Sequence, residues 1–333
     1  MVRRTSTIPD MERAARVLVV GSFNVDHAWT CDALPRPGET LQGRYATGPG
    51  GKGFNQAVAA ARAGAATGFV CALGDDAGGQ LARALAAAEG IDLCAARSTQ
   101  PTGTAGIFVD ADGGNSIVIG AGANATLDAA FVAAQRPAIE AAGVVLAQLE
   151  SPTEAVVEAL RIARAAGIAT ILNPAPANAA TTPELLALAD LLTPNESEFA
   201  ALLARHADAR IDPGAVASTA DADLHARCRA LLPHGTVVVT LGAAGAFVSH
   251  ADASRRGDAQ ACYRVAAETV AVVDTTGAGD AFNGALAASL AGSAAAFATH
   301  VRFATRYASL STETAGAALA MPRRALLEAR FAG

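Results

Sequence analysis

The sequence predicts an α/β protein: a doubly wound, mostly parallel sheet carrying a small antiparallel β-sheet as a lid. Three observations predict it. Short, nearly unbroken apolar runs recur along the chain, as in strands buried on both faces. Alanine-rich segments of helical period separate them, and that alternation builds a doubly wound sheet. Residues 24–50 and 102–123 fit neither pattern.

In chain order, residues 1–15 carry basic residues but no apolar core and read as a loose tail before an α/β domain over 16–333. "RVLVVGSF" is the first strand, ending at Asn24 and Asp26. Residues 24–50 are rich in Pro, Gly and Thr. In "FNQAVAAARAGA", Phe54, Ala57, Val58 and Ala61 follow the i, i+3, i+4, i+7 spacing of a helix. "TGFVCALG" is a strand. Residues 102–123 read as two strands joined by "DADGGN", a hairpin signal. With 24–50 they make a small sheet that is not stable alone. It must pack on the main domain, close over a ligand, or pair with another subunit.

Further on, "GVVLAQLE" is a strand, and "SPTEAVVEALRIARAAG" a helix with a Ser151/Glu154 capping box and a closing Gly167. "ATILNPAP", "DLLTPNESE" and "TVVVTLG" are strands. "TVAVVD" reads as a short strand ending at Asp274, "TTGAGD" as a turn, and "AFNGALAASLAG" as a helix.

Composition excludes several classes. A net charge of -6 argues against nucleic acid as a partner, since phosphate backbones demand basic patches. Five scattered cysteines without a C-x-x-C pair argue against a disulfide framework or a zinc site and fit reduced thiols in the cytoplasm. The most alanine-rich stretch, "ALAASLAGSAAAFATHV", is too short and interrupted for a membrane span.

Ligands of open α/β sheets bind beyond the carboxyl ends of the strands. There this chain places Asn24 and Asp26, Gln148 and Glu150, Asn173, Asn195, Glu196 and Glu198, and Thr240 and Gly242. Any one of them suits a turn or cap; all of them sharing one edge suits a site.

Three motifs stand there. In "GPGGKGFNQ", Gly48, Gly50 and Gly53 match G-x-G-x-x-G, but no buried strand precedes them, so the dinucleotide fingerprint fails. A Walker A loop fails too, because Ala46 replaces its first Gly and Gly53 its Ser/Thr. The glycines let the backbone lie against a small ligand, with Lys52 and Asn55 offered to hydroxyl or carbonyl oxygens. The plain alternative is a flexible loop with a solvated Lys. "NESE" places Asn195 three residues before Glu198, a pair that suits magnesium-bound water near phosphates. It equally suits a helix N-cap with acids in the first turn. In "DTTGAGDAFNGAL", the amides of Ala278, Gly279 and Asp280 open a helix N-terminus to an anion. An acid beside an anion hole makes sense as a base. If a phosphoryl group fills the hole, Asp280 accepts the proton of the attacking hydroxyl. The alternative is an ordinary N-terminal helix acid.

These motifs, with "GSFNVD", "PRPGET", "GDDAGG", "GANATL", "QLESP", "LNPAPA", "TPNESE" and "TLGAAG" in the same order, resemble the ribokinase-type sugar kinases of the PfkB carbohydrate kinase family. The resemblance runs from about Val17 to Pro322. It implies ATP-dependent phosphorylation of a sugar primary hydroxyl, with O5 of D-ribose the leading acceptor. By resemblance, Asn24, Asp26, Gly51, Lys52, Gly53, Asn55 and Glu150 hold the sugar. Asp280 is the base, and Gly277, Ala278 and Gly279 form the anion hole. Asn195, Thr240, Gly242, Gly245, Gly279 and Thr305 lie at the nucleotide. Glu198 serves Mg2+ through water, and Asp274 and Thr276, with backbone near Ser311, Thr314 and Gly316, hold K+. The inserted segments match the family's lid, which also forms a homodimer contact.

There are departures. Phe54 stands where Ala is usual and is expected to alter the sugar pocket; Thr305 stands where His or Asn is common near adenine, and Ala320 where a hydroxyl residue is common near the cation. A fructokinase or nucleoside kinase of the same family, a nicotinamide oxidoreductase and a non-catalytic sugar-binding protein are the rival readings.

Overall fold

Thirteen strands organise the chain in the computed structural model, which describes residues 16–331 apart from the Arg255 side chain. The tail expected over residues 1–15 lies outside the described residues. The strands are β1 (Arg16–Val20), β2 (Asn24–Thr30), β3 (Arg44–Gly50), β4 (Ala66–Leu73), β5 (Asp92–Arg97), β6 (Gly103–Val109) and β7 (Asn115–Gly120). Then come β8 (Val144–Ala147), β9 (Ala169–Leu172), β10 (Leu191–Leu192), β11 (Thr236–Thr240), β12 (Ala246–His250) and β13 (Cys262–Val265).

Nine strands form one sheet in the order β13-β12-β11-β10-β9-β8-β1-β4-β5. Every pairing from β11 to β5 is parallel, and β12 and β13 add antiparallel. The pleat sends alternate residues to opposite faces. Val17 and Val19 of β1 join the core under the helices Lys52–Arg62, Ala278–Gly292 and Phe297–Ser311. Leu18 and Val20 join the core under Thr153–Ala165 and Glu196–His206. The order reverses about β1: the chain moves outward to β4 and β5, then returns to β8 on the other side. A crevice opens at the carboxyl ends of strands at such a switch point.

The other four strands form the small sheet, in the order β3-β2-β6-β7. Its β2–β3 and β6–β7 hairpins are antiparallel, as expected, whereas β2 and β6 run parallel. The reason is their origin. β2 leaves the end of β1 and β6 leaves the end of β5, and those two strands of the large sheet point the same way.

Local expectations fail at three places. "TVAVVD" is not a strand. The amides of Val273 and Asp274 both bond the Thr312 carbonyl, at 2.8 and 3.1 Å, at the end of the helix Phe297–Ser311. Val272 and Val273 stay 61% and 65% exposed, so their β-branched chemistry reports no burial. The Ser151/Glu154 capping box does not form either: that helix begins at Thr153 with Pro152 at the N-cap position and no side-chain cap. With Pro152 at the N-cap, Glu154 falls at N2 rather than N3, and the proline ring offers no acceptor to the first-turn amides. Third, β5, β12 and β13 have no counterpart among the expected strands. β5 and β13 are edge strands of intermediate burial, so they lack a continuous apolar run. No helix among the described residues is long and apolar enough to cross a membrane.

Candidate active site

The site begins where β1 ends. Gly51 caps the helix Lys52–Arg62 with φ 86, and a Cβ there would stand 2.8 Å from the Asn24 amide and 2.9 Å from the Ser22 carbonyl. Only glycine lets this loop lie flat on the strand end. Gly53 meets Ser22 the same way. Glu150, beyond β8, ties the loop down: its Oε2 accepts from the Lys52 amide at 2.9 Å and from Ser22 Oγ at 2.6 Å. Asn24 Oδ1 accepts from Asn124 Nδ2 at 2.8 Å, and Asn124 also bonds both backbone groups of Phe23. The Asn24 side-chain Nδ2 has no partner among the described residues.

Asp280 lies in the first turn of the helix Ala278–Gly292 and is buried. Asn55 Nδ2 donates to its Oδ2 at 2.9 Å and Gln56 Nε2 to its Oδ1 at 2.8 Å. Burial pushes its pKa up; Lys52 and the two amides pull it back only in part. Burial alone would lower Lys52, but the carboxylates of Asp280, Glu150 and Glu198 outweigh it and hold the ammonium above its ordinary value. Asp26, on β2, is pushed up to about 6 by burial first and then by the charges of Glu150 and Asp280. Four carboxylates and one ammonium thus share one electrostatic site.

Gly277 caps the Asp280 helix with φ 75. The Ala278 amide donates to the Thr275 carbonyl at 3.1 Å, so it is not open to an anion as expected. A turn that presents Gly277 in the left-handed region folds Ala278 back on itself. The amides of Gly277, Gly279 and Asp280 have no partner among the described residues and form the open cradle.

Two cavities meet there. One of about 150 Å³ is lined by Lys52, Asn195, Glu198, Gly279, Asp280 and Asn283, among others. The other, about 540 Å³, is lined by Gly242, Gly245, Glu268, Val272, Phe282 and Thr305, among others. Asn195, Thr240, Thr275, Ala278 and Gly279 line both, so the cradle sits at their junction. The larger cavity is the more apolar and carries Thr305, whose hydroxyl is taken by the Val301 carbonyl at 2.9 Å. Thr305 therefore offers shape more than a hydrogen bond. Asn24, Asp26, Gly51 and Glu150 line neither cavity, and Asp26, on the small sheet, feels the charges of Glu150 and Asp280.

Asn195 and Glu198 form a reciprocal capping box at 2.8 and 2.9 Å, the helix-cap alternative for "NESE". Glu198 also lines the smaller cavity, and burial first of all raises its pKa. Asp274 stands apart from Asp280. Its carboxylate accepts from the Thr276 amide at 2.9 Å and from the Gly316 amide at 2.8 Å. Burial opposes its charge, but these bonds outweigh it and hold the carboxyl low. Ser311 and Thr314 share the turn that leads to Gly316, where the Thr314 amide donates to the Ser311 carbonyl at 3.4 Å. Among the described residues no group of three or more His, Cys, Asp or Glu gathers into a metal cage.

Phe54 corrects an expectation. It is 1% exposed and packs edge-to-face on Phe23, with ring centroids 5.1 Å apart, and against Phe69 at 6.0 Å. The ring faces the core and lines neither cavity. Gln56 is the residue that sequence reasoning passed over. It sits in the quoted "FNQ" beside Asn55, one helical turn from Lys52, and that position was the available signal.

The pfkB family carbohydrate kinase profile matches residues 14–324, and the chain belongs to that family. Similar proteins within it are ribokinases. The Haemophilus influenzae ribokinase is 37% identical over 92% of this chain and 95% of its own length. The Mus musculus ribokinase is 39% identical over 84% of this chain and 83% of its own. Among solved structures, Arabidopsis thaliana ribokinase complexed with ribose and ATP superposes with a TM-score of 0.75 at 30% identity, covering 94% of this chain and 97% of that one.

Proposed function

We propose that this carbohydrate kinase transfers the γ-phosphoryl group of ATP to the primary hydroxyl of D-ribose, forming D-ribose 5-phosphate. One observation carries the mechanism: a buried carboxylate, Asp280, sits beside the unpartnered amides of its own helix N-terminus, at the junction of two cavities. Asp280 accepts the hydroxyl proton as the oxygen attacks phosphorus. The amides of Gly277, Gly279 and Asp280 and the helix dipole stabilise the charge on the transferring group. Lys52 lines the phosphoryl cavity and adds positive charge. The nucleotide lies in the larger cavity, along Asn195, Thr240, Gly242 and Gly245, with its base near Thr305.

Asn24, Asp26, Asn55 and Glu150 grip the sugar hydroxyls. The buried Oδ1 of Asn55 has no protein partner, which suits a sugar hydroxyl as donor. A site of such buried groups rejects analogues that lack the matching hydroxyl. The small sheet closes as a lid and excludes water, so that ATP is not hydrolysed.

Glu198, whose second carboxylate oxygen is left over from the capping box, fits Mg2+ held through water, as that ion keeps much of its hydration. When bound, the ion neutralises phosphate charge. Asp274, kept anionic beside the Thr276 and Gly316 loops, fits a monovalent cation such as K+ bound by backbone oxygens. Exposed Ile117, Val118 and Ile119 on β7, with Tyr45 on β3, suit a homodimer through the lid. Free cysteines suit a cytoplasmic setting.

The test is ADP release with ATP, magnesium and potassium, across D-ribose, 2-deoxyribose, D-fructose, adenosine and no sugar. The expected result is turnover with ribose well above all others. A preference for fructose or adenosine overturns the substrate and keeps the kinase.

A further inference from the structure

Gln56 is wholly buried and lines neither cavity, yet it bonds the base directly. Its amide is held from two sides. Nε2 donates to Asp280 Oδ1 at 2.8 Å and also meets Asn173 Oδ1 at 3.0 Å. Oε1 accepts from Gln148 Nε2. Turned over, the Gln56 amide would set its oxygen against two acceptor oxygens and its nitrogen against the Gln148 donor.

Of the two holders, Asn173 is itself hydrogen-bonded, while the buried Gln148 Oε1 has no partner among the described residues and Gln148 is held by packing. Asn173 Nδ2 donates to the Thr193 carbonyl at 2.9 Å, which sets the sense of its own amide. Gln148 is buried and packed against Gly21, where a Cβ would stand 2.1 Å from Gln148 Oε1. Gly21 thereby makes the space that Gln148 occupies.

We propose that Gln56 is a positioning residue for Asp280: its amide, locked in sense by Gln148 and Asn173, holds Oδ1 so that Oδ2 faces the acceptor hydroxyl. This rests on the reading of Asp280 as the base. Asn55 takes only one lone pair of Oδ2. A carboxylate accepts through about four lone-pair sites, so Oδ2 keeps capacity for the proton. The Gln56 bond also favours the charged form of Asp280, against burial and with Lys52. Glu150 at the end of β8, Glu198 on the helix Glu196–His206 and Asp26 on β2 are the other charges facing this group.

Three variants and their combination decide it: Gln56→Met, Gln148→Met, the double variant, and Asp280→Asn as reference, each with steady-state kinetics and a thermal melt. Methionine keeps the volume and removes the amide. Gln56→Met is expected to lower kcat about 10- to 100-fold, the scale of a misplaced reacting group, with KM for ribose and ATP within about twofold. Gln148→Met should lower kcat less, because it removes one of the three partners that set the Gln56 amide and leaves Asp280 and Asn173 in place. The double variant should be no slower than Gln56→Met alone, since Gln148 acts through Gln56. Losses that multiply, or an unchanged kcat in Gln56→Met, overturn the proposal. Should Gln56→Met not fold, Gln148→Met alone decides: a fall in kcat at constant KM supports the lock, and wild-type kcat removes it. If Asp280→Asn itself turns over normally, the base reading fails. If Asp280→Asn is inactive while Gln56→Met is not, only the positioning role fails.

Discussion

Gly284 rests against the backbone of Gln56: a Cβ added to Gly284 would stand 2.4 Å from the Gln56 carbonyl oxygen and 2.5 Å from the Ala59 Cβ. The helices Lys52–Arg62 and Ala278–Gly292 can therefore cross almost backbone to backbone. Asp280 lies one turn before Gly284, so the close crossing brings its carboxylate to Asn55 and Gln56.

Gly284→Ala should push these helices apart. Overpacking of this kind costs about 1–3 kcal/mol. The melting temperature should fall, and turnover should fall further than stability explains, because Asp280 loses both donors together. A variant with normal kcat would show that the crossing distance does not set the base.

Asp280→Asn keeps the shape of the side chain and removes the proton acceptor. Loss of general-base chemistry typically costs about 10²–10⁴ in rate. Ribose affinity, read by calorimetry, should change little. Near-normal turnover in single-turnover kinetics would assign the base elsewhere.

Asp26 carries a pH dependence of defined sign. Its folded pKa of about 6 stands above the ordinary value of 3.8, so between those values the folded state holds the proton more tightly. Stability attributable to this group therefore declines as pH rises through that window, and it is lowest above about 6. Asp26→Asn should be more stable than the wild type at pH 7.5, with the gain shrinking toward pH ~4.5. Ribose binding should move the opposite way, weakening as pH drops through about 6 and the carboxylate loses an acceptor. A binding curve that is flat with pH in the wild type would remove Asp26 from the sugar site.

Phe54→Ala should destabilise the fold without changing sugar preference. Emptying a buried aromatic site typically costs about 3–5 kcal/mol. Phe54 touches Phe23 and Phe69 in the core, so the ranking of ribose over fructose should hold in the folded variant. A changed ranking would return Phe54 to the sugar pocket.

Asp274→Ala should remove activation by potassium while leaving ribose affinity intact. Both oxygens of Asp274 anchor backbone amides, at Thr276 and at Gly316 across the gap, so the variant loses the charge and the loop geometry together. Kinetics titrated with KCl against a sodium reference provide the readout. Full potassium activation in the variant would place the cation elsewhere.

The parallel strands were legible in the sequence because burial on both faces leaves a continuous apolar run, a signal contained in a few neighbouring residues. The glycine-rich helix start was legible for the same reason: "TTGAGD" folds by local turn chemistry, with Gly277 at the N-cap and Asp280 in the first turn. "TVAVVD" misled because its composition suits a strand, while strand formation needs a partner, and its amides found the Thr312 carbonyl instead. The Ser151 box misled because Pro152 moved the helix start to Thr153.

By itself the sequence determined the order of the parallel strands β1, β4, β8, β9, β10 and β11, the edge of the sheet where polar residues gather, and the acid set beside a glycine-rich helix start. Tertiary structure alone decided what holds that acid. Gln56 and Asp280 are 224 residues apart in the chain, and Gln148 is 92 from Gln56. No local periodicity encodes such a meeting. It follows from two helices crossing at Gly284 over a sheet whose strand order reverses at β1. The same packing turned Phe54 into the core, a choice made by space rather than by residue type.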